Sequence, residues 1–121
     1  MENELTKKII GAAIEVHREL GPGLLEKVYE KAMCAELRIR KLNVEAQKSL
    51  PIMYKGREIG VHVLDLVVEN TVVIELKSVE KMQPLFESQL LSYMRLGHFS
   101  LGLLINFNHR LLKDGVRRYK L

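Results

Sequence analysis

The stretch VHVLDLVVENTVVIELK, residues 61–77, decides the fold. It reads as two β-strands joined by a tight turn, over residues 61–68 and 71–77. Each carries charge where a core strand should not: Asp65 in the middle of the first, Glu75 and Lys77 at the end of the second. Side chains alternate faces along a strand, so Glu75 and Lys77 share a face with Val73, and Val72, Ile74 and Leu76 cover the other. A three-residue loop Val68-Glu69-Asn70, with Asn70 left-handed, would pair Val67 with Thr71 and Asp65 with Val73. Asp65 then lies diagonally beside Glu75 on one face. A two-residue Glu69-Asn70 turn would instead send Asp65 to the opposite face, so the site rests on the first register.

Two carboxylates about 4 Å apart repel by roughly 1 kcal/mol in water and about 4 kcal/mol at an effective dielectric near 20. Desolvating either adds several kcal/mol. Lys77 offsets part of this. A hard divalent cation such as Mg²⁺, which prefers carboxylate and water oxygens, would offset more. An aspartate followed by a strand carrying Glu-x-Lys therefore suggests a metal site with a lysine beside it. The plain alternative is a salt bridge between Glu75 and Lys77 on a solvated sheet face.

With 121 residues the chain suits one domain, residues 1–121, with a single layered core. No apolar run approaches the ~20 residues that span a bilayer, and the start MENELTKK is charged rather than signal-like. Cys34 is the single cysteine, which excludes an internal disulfide or a multi-cysteine zinc site; it reads as a small buried hydrophobe. A cytoplasmic protein is expected. The net charge of +4 is compatible with a polyanionic partner. Lys113, Arg117, Arg118 and Lys120 crowd the C-terminus, as a solvated basic tail or a phosphate-contacting one.

The remaining elements follow in order. Residues 5–20 have helical spacing, with Leu5, Ile9, Ala12, Ala13, Val16 and Leu20 on one face, widened by Ile10 and Ile14. His17 near its end reads as a surface histidine favoured by the helix dipole. Gly21-Pro22-Gly23 stops this helix. A second helix over 24–40 takes Leu25, Val28, Tyr29, Ala32, Met33, Ala35, Leu37 and Ile39 as its apolar set. Glu26 stands in its first turn, three residues before Tyr29 on a neighbouring part of the same face. Residues 43–53 form an early strand, and Tyr54-Lys55-Gly56-Arg57 turns into the Asp65 strand. After a loop over 78–83, Pro84 opens a helix to about Leu96 on which Gln89 and Tyr93, four apart, share a face. The apolar run LGLLINF (101–107) is a strand covered on both sides, and a short strand near 116–121 ends the chain. The fold class is α/β, a mixed β-sheet flanked by helices in the order α-α-β-β-β-α-β-β. The helix between the Glu75 strand and the apolar strand makes those two parallel.

GLLEKVY at 23–29 matches a GxxExxY signature. GPG at 21–23, IELKSVE at 74–80, QLLSYMRL at 89–96 and LLINFN at 103–108 agree with it over nearly the whole chain. The chain thus resembles the GxxExxY family of the PD-(D/E)XK nuclease superfamily. That resemblance implies a restriction-endonuclease-like core and a Mg²⁺-dependent (or Mn²⁺-dependent) nuclease acting on nucleic acid, DNA before RNA. It further implies Asp65 and Glu75 as metal ligands, with the Leu76 carbonyl as a third. Glu26 would be a ligand direct or through water, and Lys77 would orient or activate the attacking water. Gln89 and Tyr93 would support the site or touch substrate, with Tyr29 beside them as support. The members' proline before the aspartate is Leu64 here. Val63 stands where many members carry an arginine.

That departure and the basic C-terminus motivate a second reading, a nucleic-acid-binding or accessory protein with little catalysis. A third is a partner-binding domain whose charged face packs on another chain. No membrane partner is expected, and a homodimer would suit so small a nuclease.

Overall fold

The computed structural model describes residues 2–121, with side chains from residue 4 onward. Two helices come first. In α1 (Glu2–Leu20), Ile9, Ala12, Ala13 and Val16 recur at helical spacing and are buried. In α2 (Glu26–Ile39) the buried set is Tyr29, Met33, Cys34 and Leu37. Leu25, Val28, Ala35 and Ile39, expected in the apolar set, face solvent; so does Ile14 on α1. A helix packed on a single layer buries one stripe, and the sequence pattern was wider than that stripe.

Between them Gly21 and Gly23 hold φ of 72° and 94°, a conformation open to glycine without penalty. Tyr29 closes this turn from below. Its hydroxyl donates to the Gly21 carbonyl at 2.6 Å and accepts from the Leu24 amide at 3.1 Å.

Strands β1 (Val44–Tyr54) and β2 (Arg57–Val68) form a long antiparallel hairpin. Its two-residue turn has positive φ at Lys55 and Gly56, as the strand twist requires. Then come β3 (Val72–Lys77), α3 (Pro84–Gly97), β4 (Leu101–Asn106), a 3₁₀ turn (Leu112–Gly115) and β5 (Val116–Lys120). The sheet order is β1-β2-β3-β4-β5, and β3 and β4 run parallel through the α3 crossover. Helices α1 and α2 cover one face over Leu66, Ile74, Leu103, Ile105 and Phe107. Helix α3 covers the other over Leu64, Val67, Val73 and Leu104. Every residue from Leu101 to Phe107 is buried, as a central strand covered on both faces demands.

Three expectations change. The β2–β3 register is Val68 with Val72, Val67 with Val73 and Leu66 with Ile74, two residues away from the pairing of Asp65 with Val73. The loop is Glu69-Asn70-Thr71, with Glu69 and Asn70 both left-handed at φ of 51° and 53°. Glu69 tolerates this because it is tied to the start of β1. Its amide donates to the Asn43 carbonyl at 2.8 Å, and its carboxylate accepts from the Asn43 amide at 2.6 Å. His17 is not on the surface: it is 8% exposed, with Nε2 2.7 Å from the His109 carbonyl oxygen. The basic C-terminus is not a tail but the edge strand β5, where charge discourages pairing with another sheet.

The hairpin β2–β3 pairs over only three positions, whereas β2 pairs with β1 along its length and β3 pairs with β4 as far as Lys77 and Asn106. Beyond Leu66 and Ile74 the two strands therefore part. Leu64 packs with the α3 layer and Leu66 with the α1–α2 layer, so the alternation of faces breaks between them, at Asp65. Opposite this break Gln47 of β1 has φ of 54°. The sheet forks here.

Candidate active site

Continuing the register one step past Leu66 and Ile74 sets Asp65 across from Glu75, the first residues beyond the fork. Their side chains replace the missing ladder bonds. The Leu76 amide donates to Asp65 Oδ2 at 2.8 Å, and the Asp65 amide donates to Glu75 Oε2 at 3.0 Å. Each carboxylate thus satisfies a backbone donor of the opposing strand, and Oδ1 and Oε1 stand outside that exchange. The structure brings the two acids onto one face, as the first register required, but directly opposed rather than diagonal.

Glu75 is 8% exposed. Burial, followed by the charge of Asp65, pushes its carboxyl up to about 7. Burial also raises Asp65, with Glu30 and Glu26 adding to the rise while the Leu76 amide and Lys77 oppose it. Lys77 is half-buried and forms no ion pair with either acid among the described residues; its Nζ lies 4.3 Å from the centroid of the Phe86 ring. The solvated salt bridge between Glu75 and Lys77 is therefore not what the fold builds.

The remaining expected residues divide. Glu26 is exposed at the start of α2, where its carboxylate accepts from the Ser78 amide at 3.2 Å. It faces the fork electrostatically, yet among the described residues no three His, Cys, Asp or Glu side chains are grouped closely enough to enclose a metal ion. Tyr93 stands half-buried on α3, its phenol raised by burial and by the charge of Glu75. Gln89 is half-buried one turn earlier on the same helix. Tyr29 lies apart: fully buried, stacked on Phe107 with centroids 4.3 Å apart, and bonded to the 21–24 turn. It shapes the loop before Glu26 rather than reaching the fork. Val63 is exposed on β2.

Three residues were missed. Glu30 lies one turn after Glu26 and accepts from Gln47 Nε2 at 2.5 Å; its i,i+4 spacing from Glu26 was legible. His62 stacks on Tyr93 with ring centroids 3.6 Å apart. Burial, then the charge of Lys77, lowers its pKa, and its buried Nε2 has no hydrogen-bond partner among the described residues. Nothing in its sequence neighbourhood announced this. Asn106, 1% exposed, sits beside Lys77 in the parallel register. Its amide clasps both backbone groups of Val79 at 3.0 and 3.1 Å and accepts from Asn108 N at 3.1 Å, fixing the loop after Lys77.

A concavity of about 450 Å³ between α1 and residues 110–113 is lined by Arg18, Arg110 and Lys113 and by no carboxylate, so it is not a place for a cation. No helix of the described residues is long and apolar enough to cross a membrane.

Comparison with known proteins gives one family match. No curated protein and no solved structure matches the chain. The family model that matches describes the PD-(D/E)XK nuclease superfamily, and it covers residues 3–119, from α1 through β5. The mixed five-stranded sheet and the order of its helices agree with that fold. With an aspartate and a Glu-x-Lys strand meeting at the parting of β2 and β3, and with nearly its whole length matched, the chain belongs to the PD-(D/E)XK nuclease superfamily.

Proposed function

We propose that the chain, as one domain over residues 1–121, is a metal-dependent nuclease of the GxxExxY type. It hydrolyses phosphodiester bonds of nucleic acid, DNA before RNA, in the cytoplasm. The observation that carries the reading is the pair of desolvated carboxylates at the fork, opposed to one another and, among the described residues, not ion-paired with Lys77. A salt-bridged surface has no need of such an arrangement.

The residues fit a divalent cation. Mg²⁺ is held through one or two carboxylates, with water and substrate phosphate completing its shell, so Asp65 and Glu75 suffice without a third enclosing acid. Such a cation, when bound, polarises a phosphoryl oxygen and acidifies water; Mn²⁺ would serve likewise. The chain supplies the rest. Asp65 and Glu75 hold the cation, and Glu26 adds negative potential from α2. Lys77 brings positive charge to the phosphate and orients the attacking water. Gln89 and Tyr93 line the approach from α3, and Tyr29 supports the turn before Glu26.

A second reading, a nucleic-acid-binding accessory protein with little catalysis, draws on the exposed position of Glu26, the absence of a three-acid group among the described residues, and Val63. Titration calorimetry with Mg²⁺ and Mn²⁺ separates the two, on the wild type, Asp65→Asn and Glu75→Ala. Binding lost in both variants, with cleavage of DNA or RNA that chelator abolishes, supports the nuclease. Nucleic-acid binding indifferent to chelator, with no metal uptake, supports the accessory protein. Light scattering on the same samples tests whether the active species is a homodimer.

A further inference from the structure

Lys77 poses a question that the proposed function leaves open. It stands two residues after Glu75 on the same strand, yet its ammonium lies against an aromatic ring rather than a carboxylate. The ring is that of Phe86, in the first turn of α3 and packed into the core with Leu90, Tyr93 and Met94. A cation beside a helix N-terminus is disfavoured by the helix dipole. Glu87, the acid of that turn, accepts a hydrogen bond from the Tyr119 hydroxyl at 2.9 Å. Asp65 and Glu75 pull on the ammonium from a distance, and the attraction in direct contact is the negative face of the Phe86 ring, which at a half-buried site is worth a factor of roughly two to thirty in occupancy. Across the fork, Asp65 and Glu75 direct Oδ2 and Oε2 to backbone amides.

Resting on the nuclease reading for its functional meaning, we infer that Phe86 is a positioning residue whose ring seats the Lys77 ammonium beside the fork and holds it off Asp65 and Glu75. The seat serves two ends. It leaves the carboxylates open to a divalent cation, which a lysine lodged between them would have to be displaced to admit. It also fixes the ammonium on the α3 side, where a bound phosphate would meet it. Without the ring, the flexible side chain falls toward the nearest negative charge, which is the acid pair.

The test uses nuclear magnetic resonance and calorimetry on the wild type, Phe86→Leu and Phe86→Tyr. Leucine removes the ring face at similar bulk, and tyrosine keeps it. The Lys77 ε-methylene protons should be shifted upfield by the ring in the wild type, with cross-peaks to the Phe86 ring protons. Phe86→Tyr should preserve that shift and Phe86→Leu abolish it. Mn²⁺ affinity should fall between about two- and tenfold in Phe86→Leu and stay at the wild-type value in Phe86→Tyr. An unshifted Lys77 in the wild type overturns the inference, needs no variant to fold, and leaves the metal site untouched. A shift lost in Phe86→Leu with Mn²⁺ affinity unchanged, while Glu75→Ala still ends binding, overturns the positioning role alone. Wild type that takes up no Mn²⁺ removes the nuclease reading, and with it the positioning role, whatever the methylene protons show.

Discussion

Glu75→Gln should make the metal-free protein more stable at pH 8 and change it little at pH 4.5. The Glu75 carboxyl is pushed from 4.5 up to about 7, first by burial and then by Asp65. The sign is opposite to that of a salt-bridged carboxylate. Between 4.5 and about 7 the folded protein holds a proton that the unfolded chain has released, so stability falls as pH rises through that window. Below it both states are protonated and nothing is lost; above it the penalty is complete, at about 3 kcal/mol from the full shift. Glutamine keeps an acceptor for the Asp65 amide, but its added side-chain N–H donors must be desolvated, which offsets roughly 1 kcal/mol. The net gain at pH 8 is then about 1–2 kcal/mol, or roughly 4–8 °C in Tm for a domain of this size.

Urea titrations in chelator from pH 4.5 to 8.5, on both proteins, isolate the effect as a difference curve. His62 contributes the opposite slope below 6.5, because its lowered pKa makes the folded state shed a proton first, and the subtraction removes it. Parallel curves for the two proteins would refute the reasoning, as would a variant less stable than wild type at pH 8. Added Mg²⁺ supplies an internal check. It should raise the Tm of the wild type more at pH 8 than at pH 5, where protons compete for the acids, and leave Glu75→Gln nearly unmoved.

Three further substitutions probe the surroundings. Asn106→Ala should cost roughly 2–4 kcal/mol in urea unfolding, since it strands the Val79 and Asn108 amides it now satisfies; a loss under 1 kcal/mol would mean that water replaces it. Tyr29→Phe keeps the stack on Phe107 but releases the Gly21 carbonyl and the Leu24 amide. It should cost about 1–2 kcal/mol and quicken hydrogen exchange at Leu24, and unaltered exchange would show that the turn holds itself. His62→Phe removes an unpartnered buried nitrogen while keeping the stack on Tyr93. It should be neutral or stabilising, with a shallower loss of stability on acidification below pH 6.5, and steeper acid unfolding would contradict that.

How much of this was legible in the sequence follows from the range of the forces involved. Periodicity reports which side chains one element can bury, so the helices, the apolar strand and the parallel crossover could be read locally. The hairpin register could not. It depends on Glu69 adopting a left-handed conformation that few acids take, and the compensation comes from Asn43, 26 residues away. His17 was misjudged for the same reason, since its partner is the His109 carbonyl, 92 residues along the chain. Of the site, Asp65, Glu75 and Lys77 could be named from charge in an apolar strand. Phe86 and His62 could not, because what they do depends on α3 folding over β2 and β3.

The fork also decides between the two meanings that charge in a strand can have. Were Glu75 and Lys77 a structural pair, the fold would bring them within bonding distance, since a desolvated acid left without its partner costs several kcal/mol. Instead the strands part after three pairs, Lys77 rests on Phe86 and acts on the acids only at a distance, and each acid has one backbone amide as its direct partner. A chain under selection for stability alone has cheaper solutions, for an apolar pair at 65 and 75 would extend the β2–β3 ladder and remove the repulsion. The strain is confined to two side chains at the point where the sheet opens. That is where a cation could enter and offset it, and it ties the stability deficit above pH 7 to the proposed chemistry. The wild type should recover with Mg²⁺ what it lacks relative to Glu75→Gln without it. A wild type that remains the less stable protein at saturating Mg²⁺ would break that tie.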